Sequence, residues 1–337
     1  MPDIVIGEIM KKSNWKSVLT LRLVSQRLRD QVDHVGEAPF PKDLKIFIKF
    51  YYPESITIQF DGEKQADELK YTKTEENHCS RKFNDKNEAV FENQSMVDLA
   101  VNDLGLIFKF QKSMIESIDL SIGDHSTSTS FESKLKSLLE SRPEKLKIQK
   151  LNVFARKTSQ FMCILPYLDT KSLVDIDMRG PEDGCFLDLD EISSTEQWKQ
   201  LLYVNLEGCF RGSMKVFAHF SRVSVEFLQF SACDLDFLKN VYIKVPKFHY
   251  FLAKGIRYLE FHHLSRQWGA PFMRHNKPYW YFRIPNSDQM FTVFHETHRL
   301  MYGGRDYIVH MSRNPLSHLP SGAVLLEESI NFGNLRI

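Results

Sequence analysis

Several residue groups in this chain are of types that could do chemistry. His295-Glu296-Thr297-His298 sets two imidazoles beside a carboxylate, the raw material of a zinc site. A helical site of the H-E-x-x-H kind needs histidines four residues apart to share a face, and here they are three apart. The surrounding Phe291–Arg299 alternates like a strand, which sends the two rings to opposite faces, so no metal is expected. His262 and His263 are adjacent and diverge. The acidic stretch Glu182-Asp183, Asp188 and Asp190-Glu191 could hold a cation, but its uneven spacing reads as a solvated loop. Cys79, Cys163, Cys185, Cys209 and Cys233 are odd in number and form no C-x-x-C pair. That argues against a disulfide framework or a Cys-rich zinc site and suits a reducing compartment. No phosphate-binding Gly-rich loop and no G-x-S-x-G occurs, and no Cys/His pair lies close in sequence. The reading is of a protein that is no enzyme and carries no cofactor.

One stretch has interaction chemistry instead. Between Lys254 and Arg283, the bases Lys254, Arg257, Arg266, Arg274, Lys277 and Arg283 face a single acid, Glu260. Tyr258, Phe261, Trp268, Phe272, Tyr279, Trp280, Tyr281 and Phe282 are interleaved. Bases among rings can clamp an acidic or phosphorylated peptide, serve as interface hot spots, or track a nucleic-acid strand. The plain alternative is that the rings pack inward while the bases are solvated. Arg266, Trp268, Arg274 and Lys277, set among Gly269, Pro271 and Pro278, are the candidate target-binding residues. Loop bases carry less packing duty than strand residues.

The elements that must position these residues follow from periodicity. The 337 residues are 42% hydrophobic and 26% charged, an ordinary globular balance with room for two domains. Lys plus Arg (44) nearly equals Asp plus Glu (43), which excludes binding of polyanions through bulk charge. The longest strongly apolar run, Phe161–Leu168, is far short of the roughly 20 residues a membrane helix needs, and no signal peptide is apparent. A cytoplasmic or nuclear location is expected. The 26 Phe point to a layered core filled by rings.

Period-two alternation predicts strands at Leu44–Phe50 and Ile56–Phe60, and again from Leu106, Phe108 and Phe110 onward. From Ile118 a succession of short strand, loop and helix recurs. Strands are expected at 118–122, 150–154, 173–178, 203–206, 224–230, 240–244 and 258–261. Helices are expected at 131–140, 158–167 and 214–221, with 126–130 as a polar insertion. Units of this kind predict a mixed α/β, leucine-rich-repeat-like solenoid with a curved parallel sheet. Gly303-Gly304 predicts a hairpin turn between 291–300 and 307–310.

The first 34 residues read as three short helices, too small to bury a core of their own. Met1-Pro2-Asp3-Ile4-Val5, Glu8-Ile9-Met10 and Val18-Leu19-Thr20-Leu21-Arg22-Leu23-Val24-Ser25-Gln26-Arg27-Leu28-Arg29 resemble an F-box without a gap. The departures are Met1 for Leu, Ser13 for Leu, Ser17 for Asp and Leu28 for Trp. Further along, Ile164-Leu165-Pro166-Tyr167-Leu168-Asp169, Glu191-Ile192 and Glu196-Gln197-Trp198-Lys199 resemble the FTH domain. His219-Phe220 and Asp234-Leu235-Asp236-Phe237-Leu238-Lys239 extend that likeness. FTH domains are greatly expanded in nematodes and typically stand behind an F-box.

The resemblance implies an F-box at 1–34, a β-rich connecting segment at 35–125, an FTH domain at 126–265 and a C-terminal strand and hairpin extension of the same solenoid at 266–337. It implies a substrate-recognition subunit of a Skp–cullin–F-box ubiquitin ligase. Pro2, Val5, Ile9, Val18, Leu21, Val24 and Leu28 would touch the Skp adaptor and, through it, a cullin. The alternative is a protein- or RNA-binding module acting without a ligase. Trp198 is expected to be structural, covering a sheet.

Overall fold

Alternation in the first third of the chain becomes strands with one buried face. The structure, a computed structural model, describes residues 3–12, 17, 25–35, 44–51, 55–61, 66–75, 78–84, 88–109, 114–123, 126–180, 187–257, 261–299 and 305–327. Two short helices, α1 (Asp3–Lys12) and α2 (Gln26–Val35), contact each other and bury Ile6 and Val32. Ser25 caps α2, its hydroxyl accepting from the Leu28 amide at 3.2 Å. The chain forms two units: Met1–Asp177 with Thr195–Gln200, and Met178–Ser194 with Leu201–Ile337.

In the first unit β1 (Lys45–Tyr51) and β2 (Ser55–Asp61) pair antiparallel and bury Ile46, Ile48, Ile56, Ile58 and Phe60. β3 (Asp67–Glu75), β4 (His78–Phe83) and β5 (Glu88–Glu92) continue the antiparallel meander. Helix α3 (Met96–Lys109) crosses β2, β3 and β4. On the other side of β1, β6 (Ile115–Ser121) pairs in parallel, and β7 (Ile148–Phe154) pairs in parallel with β6. The strand order is therefore β5-β4-β3-β2-β1-β6-β7. Helix α4 (Ser126–Glu140) makes the β6-to-β7 crossover and buries Phe131, Leu135 and Leu139, four residues apart. The unit continues with α5 (Thr158–Met162) and a 3-10 turn at Leu165–Tyr167.

β8 (Asp175–Arg179) lies across the unit boundary. In the second unit β9 (Leu187–Asp188) is followed by α6 (Leu189–Ser193). Helix α7 (Glu196–Gln200) returns to the first unit. β10 (Tyr203–Arg211), β11 (Arg222–Gln229) and β12 (Tyr250–Arg257) then pair in parallel, with α8 (Ala232–Lys244) between the last two. After α9 (Phe261–Trp268), β13 (Phe272–Arg274), β14 (Lys277–Arg283), β15 (Gln289–Arg299) and β16 (Arg305–Pro315) form an antiparallel meander. β16 closes it onto β12, and β17 (Leu325–Leu326) pairs with the end of β14.

The mixed α/β expectation is met. Parallel pairing runs through β1–β6–β7 and β10–β11–β12, while β13 to β16 are antiparallel. Four local expectations are corrected. Leu106 and Phe108 lie in helix α3, not a strand. Residues 240–244 are the last turn of α8, because the Ser231–Asp234 capping box commits the segment to a helix. Phe261 opens helix α9, while 258–260 lie outside the described residues. The polar run at 126–130 is no insertion but the first turn of α4. The hairpin expected at Gly303-Gly304 has its flanking strands paired to Arg299↔Arg305.

Candidate interaction surfaces

The adaptor candidates divide. Val5 and Ile9 stand on α1, each 43% exposed, beside Ile4 at 82%. Leu28 is half-buried on α2. Pro2, Val18, Leu21 and Val24 lie outside the described residues. An exposed apolar edge on a ten-residue helix costs solubility unless something covers it.

The four target-binding candidates are not brought together. Arg266 is exposed on α9, and Arg274 is exposed at the end of β13. Trp268 is buried: its indole N–H donates to Asp236 Oδ1 at 2.7 Å, and its ring meets Trp280 and Phe282 edge-on, each at 5.4 Å. Lys239 is only 5% exposed; its ammonium lies 4.7 Å over Phe282 and 5.2 Å over Trp268, and pairs with Asp236 at 2.9 Å. Burying that charge is tolerable because one carboxylate and two ring faces replace water. Trp268 is thus a wall of an internal cation box, a correction to its reading as a binding residue. Lys277 is ion-paired with Glu296, and that hydrogen bond holds its pKa above the ordinary lysine value.

Sequence reasoning missed the ring face of the second unit. Because side chains alternate, Phe272, Tyr279, Tyr281, Phe294 and His310 share one side of β13–β16, with Arg274 at its margin. Neighbouring centroids are 6.3 Å (Phe272–Tyr281), 6.0 Å (Tyr279–Tyr281), 4.8 Å (Tyr279–Phe294) and 4.3 Å (Phe294–His310). Glu296 ties this row to Lys277 and to His310 Nε2, the latter at 3.1 Å. Lys254 and Glu226 add a 3.0 Å pair on the parallel strands. Rings stacked on one another present edges, not faces, so they offer little for nucleobases to stack on. Tyr281 is itself buried and the other four rings are half-buried, so the row is largely a packed layer, with Tyr279 as its accessible phenol. Arg266 belongs to α9, whose Trp268 packs on the opposite side of β14, and so does not join this face.

His295 points to the other side of β15, against the Trp280 ring, and burial lowers its pKa to about 4. Among the described residues no cluster of three metal-ligating side chains occurs. Cys163 is buried and pushed up to about 12 by desolvation, the reverse of a reactive thiol. Asp188 caps α6 and pairs with Arg211 at 3.2 Å, so the acidic stretch is partly committed to structure.

The residues that carried the FTH resemblance have visible structural duties. The Gln197 amide donates to the carbonyls of Leu168 (2.7 Å) and Pro166 (3.0 Å), joining the Gln-Trp-Lys element to the Ile164–Asp169 element. Trp198 is buried beside it. Asp234 closes the α8 capping box, Leu235 and Leu238 are buried, and Asp236 and Lys239 build the cation box. Residues 129–264 match the FTH domain family, a match that stops short of α1 and α2. No curated protein and no solved structure matches the chain.

Proposed function

We propose that this chain is the substrate-recognition subunit of a Skp–cullin–F-box ubiquitin ligase, working in the cytoplasm or nucleus. It contributes no bond chemistry; it holds a target where a ubiquitin-conjugating enzyme can reach it, which raises effective concentration. The observation that carries the reading is the exposed apolar edge of α1 (Ile4, Val5 and Ile9) on a chain whose residues 129–264 match a domain that typically follows an F-box.

The target is proposed to carry an acidic or phosphorylated segment that meets Arg274, with Arg266 as a second, separate base. Tagged full-length chain should co-purify a Skp adaptor and a cullin, identified by mass spectrometry. Recovery of a partner with neither would replace this reading with that of a binding module acting without a ligase.

A further inference from the structure

The antiparallel meander of the first unit ends at β5. β5 (Glu88–Glu92) pairs with β4 through five unbroken registers, from Lys82↔Glu88 to His78↔Glu92. Among the described residues β4 is its one ladder partner. In an antiparallel pair only alternate residues bond across, so the remaining N–H and C=O groups of β5 point outward. Natural edges are blunted by proline, bulges, inward charges, short strands or charged side chains. β5 has no proline or bulge, the irregularity in this meander falling between β3 and β4 at Lys73/Glu75; what guards its five residues is the pair of charges Glu88 and Glu92.

The strand is also held in place. Phe91 lies under the Arg81 guanidinium at 5.1 Å, and Arg81 is itself bound to Asp103 of α3 at 3.1 Å. Just past the strand, the Cys79 thiol donates to the Gln94 carbonyl at 3.0 Å. A rigid edge gives an incoming segment its ladder without an ordering cost on this side.

The side chains say what could dock. Glu88, Val90 and Glu92 share one face and are exposed, Val90 at 63%. A second copy of the chain is a poor occupant. Antiparallel pairing centred on Val90 sets Glu88 against Glu92 twice, and parallel in-register pairing sets each glutamate against itself. Like charges directly opposite destabilise a ladder. We propose that β5 is a docking edge for an extended peptide segment of a protein partner, with bases two residues either side of a small or apolar residue. Each glutamate would then have a base across from it, while the outward backbone groups complete a fifth strand pair in the meander. The same carboxylates that repel a second copy select this partner.

The probe is a fluorescent, acetylated and amidated heptapeptide, Thr-Lys-Thr-Val-Thr-Lys-Thr, measured by anisotropy against the full chain. Its counterpart with Glu for Lys should bind at least about tenfold more weakly. Glu88→Lys with Glu92→Lys should reverse that preference. Two N-methylated versions, blocking alternate sets of peptide N–H groups, should differ, because only one set faces β5. Equal binding of both N-methylated peptides would mean plain charge attraction, and failure of the basic peptide to bind would mean a closed edge; either overturns the proposal. Concentration-dependent dimerisation lost in the double lysine variant would overturn it in favour of a second copy. Adaptor capture is read separately in the same variant, so this edge and the ligase reading can fail independently.

Discussion

At the scale of single residues, the deciding fact is that buried charge must be answered locally. Lys239 sits in its box with one carboxylate, Asp236, to balance it. Asp236→Ala should cost about 3–5 kcal/mol, because it strands a buried ammonium and leaves the Trp268 N–H without its acceptor. Adding Lys239→Met should recover part of that loss in urea unfolding, since the stranded charge goes with it. His295 gives a pH signature. Its folded pKa of about 4 lies below the ordinary 6.5, so the unfolded chain takes up the proton first. Its contribution is complete above the unfolded value and is lost as pH falls from there through about 4. Thermal scans between neutral pH and pH 5 should show a smaller loss for His295→Gln than for the parent. Trp268 and Lys277 escaped local reading for one reason. Their partners Asp236 and Glu296 lie 32 and 19 positions away, so both looked spare until the fold supplied those partners.

At the scale of elements, legibility depended on whether one period ruled the local pattern. β1 and β2 alternate without a rival period, so their alternation announced them. Helix α3 buries Val97, Ala100, Val101, Leu104, Ile107 and Phe108 at three- and four-residue steps, a helical stripe that the alternation of Leu106, Phe108 and Phe110 at its end obscured. The β-branched end of α8 suggested a strand until the cap at its other end decided otherwise, with the Tyr242 hydroxyl anchored to the Phe217 carbonyl at 2.8 Å. The ring face depends on strand pairing between β14, β15 and β16, and pairing is not written in any one strand. Close approach is equally invisible to local pattern. A Cβ on Gly255 of β12 would lie 2.6 Å from Phe230 Cε1, so that ring and strand fit only around a glycine. Gly255→Ala should destabilise the second unit by about 1–3 kcal/mol, read as a lower midpoint in denaturant with an unchanged slope. Trp198→Ala should cost about 3–5 kcal/mol in the first unit, through loss of a buried ring rather than of a partner.

At the scale of the whole molecule, the proposed labour is divided between an N-terminal helix pair that would hold the ligase and a larger body that would hold the target. The two tasks should therefore separate by mutation. Ile9 is 43% exposed on α1, so a charge there is solvated in the free protein and becomes buried and unpaired only when an adaptor covers it. Leu21 joins it through the F-box resemblance. Ile9→Asp with Leu21→Asp should abolish Skp capture, a loss of several kcal/mol at the interface, while thermal unfolding of the rest of the chain stays as in the parent. Arg274→Glu should leave adaptor capture intact and weaken retention of the acidic target, with the difference shrinking as salt rises. Lys277→Glu is the instructive control. Lys277 is bound to Glu296, so its reversal sets two carboxylates together and should lower stability as well as binding. Undiminished Skp capture by the Ile9/Leu21 double variant would remove the ligase from the account and leave a binding module whose N-terminal helices do something else.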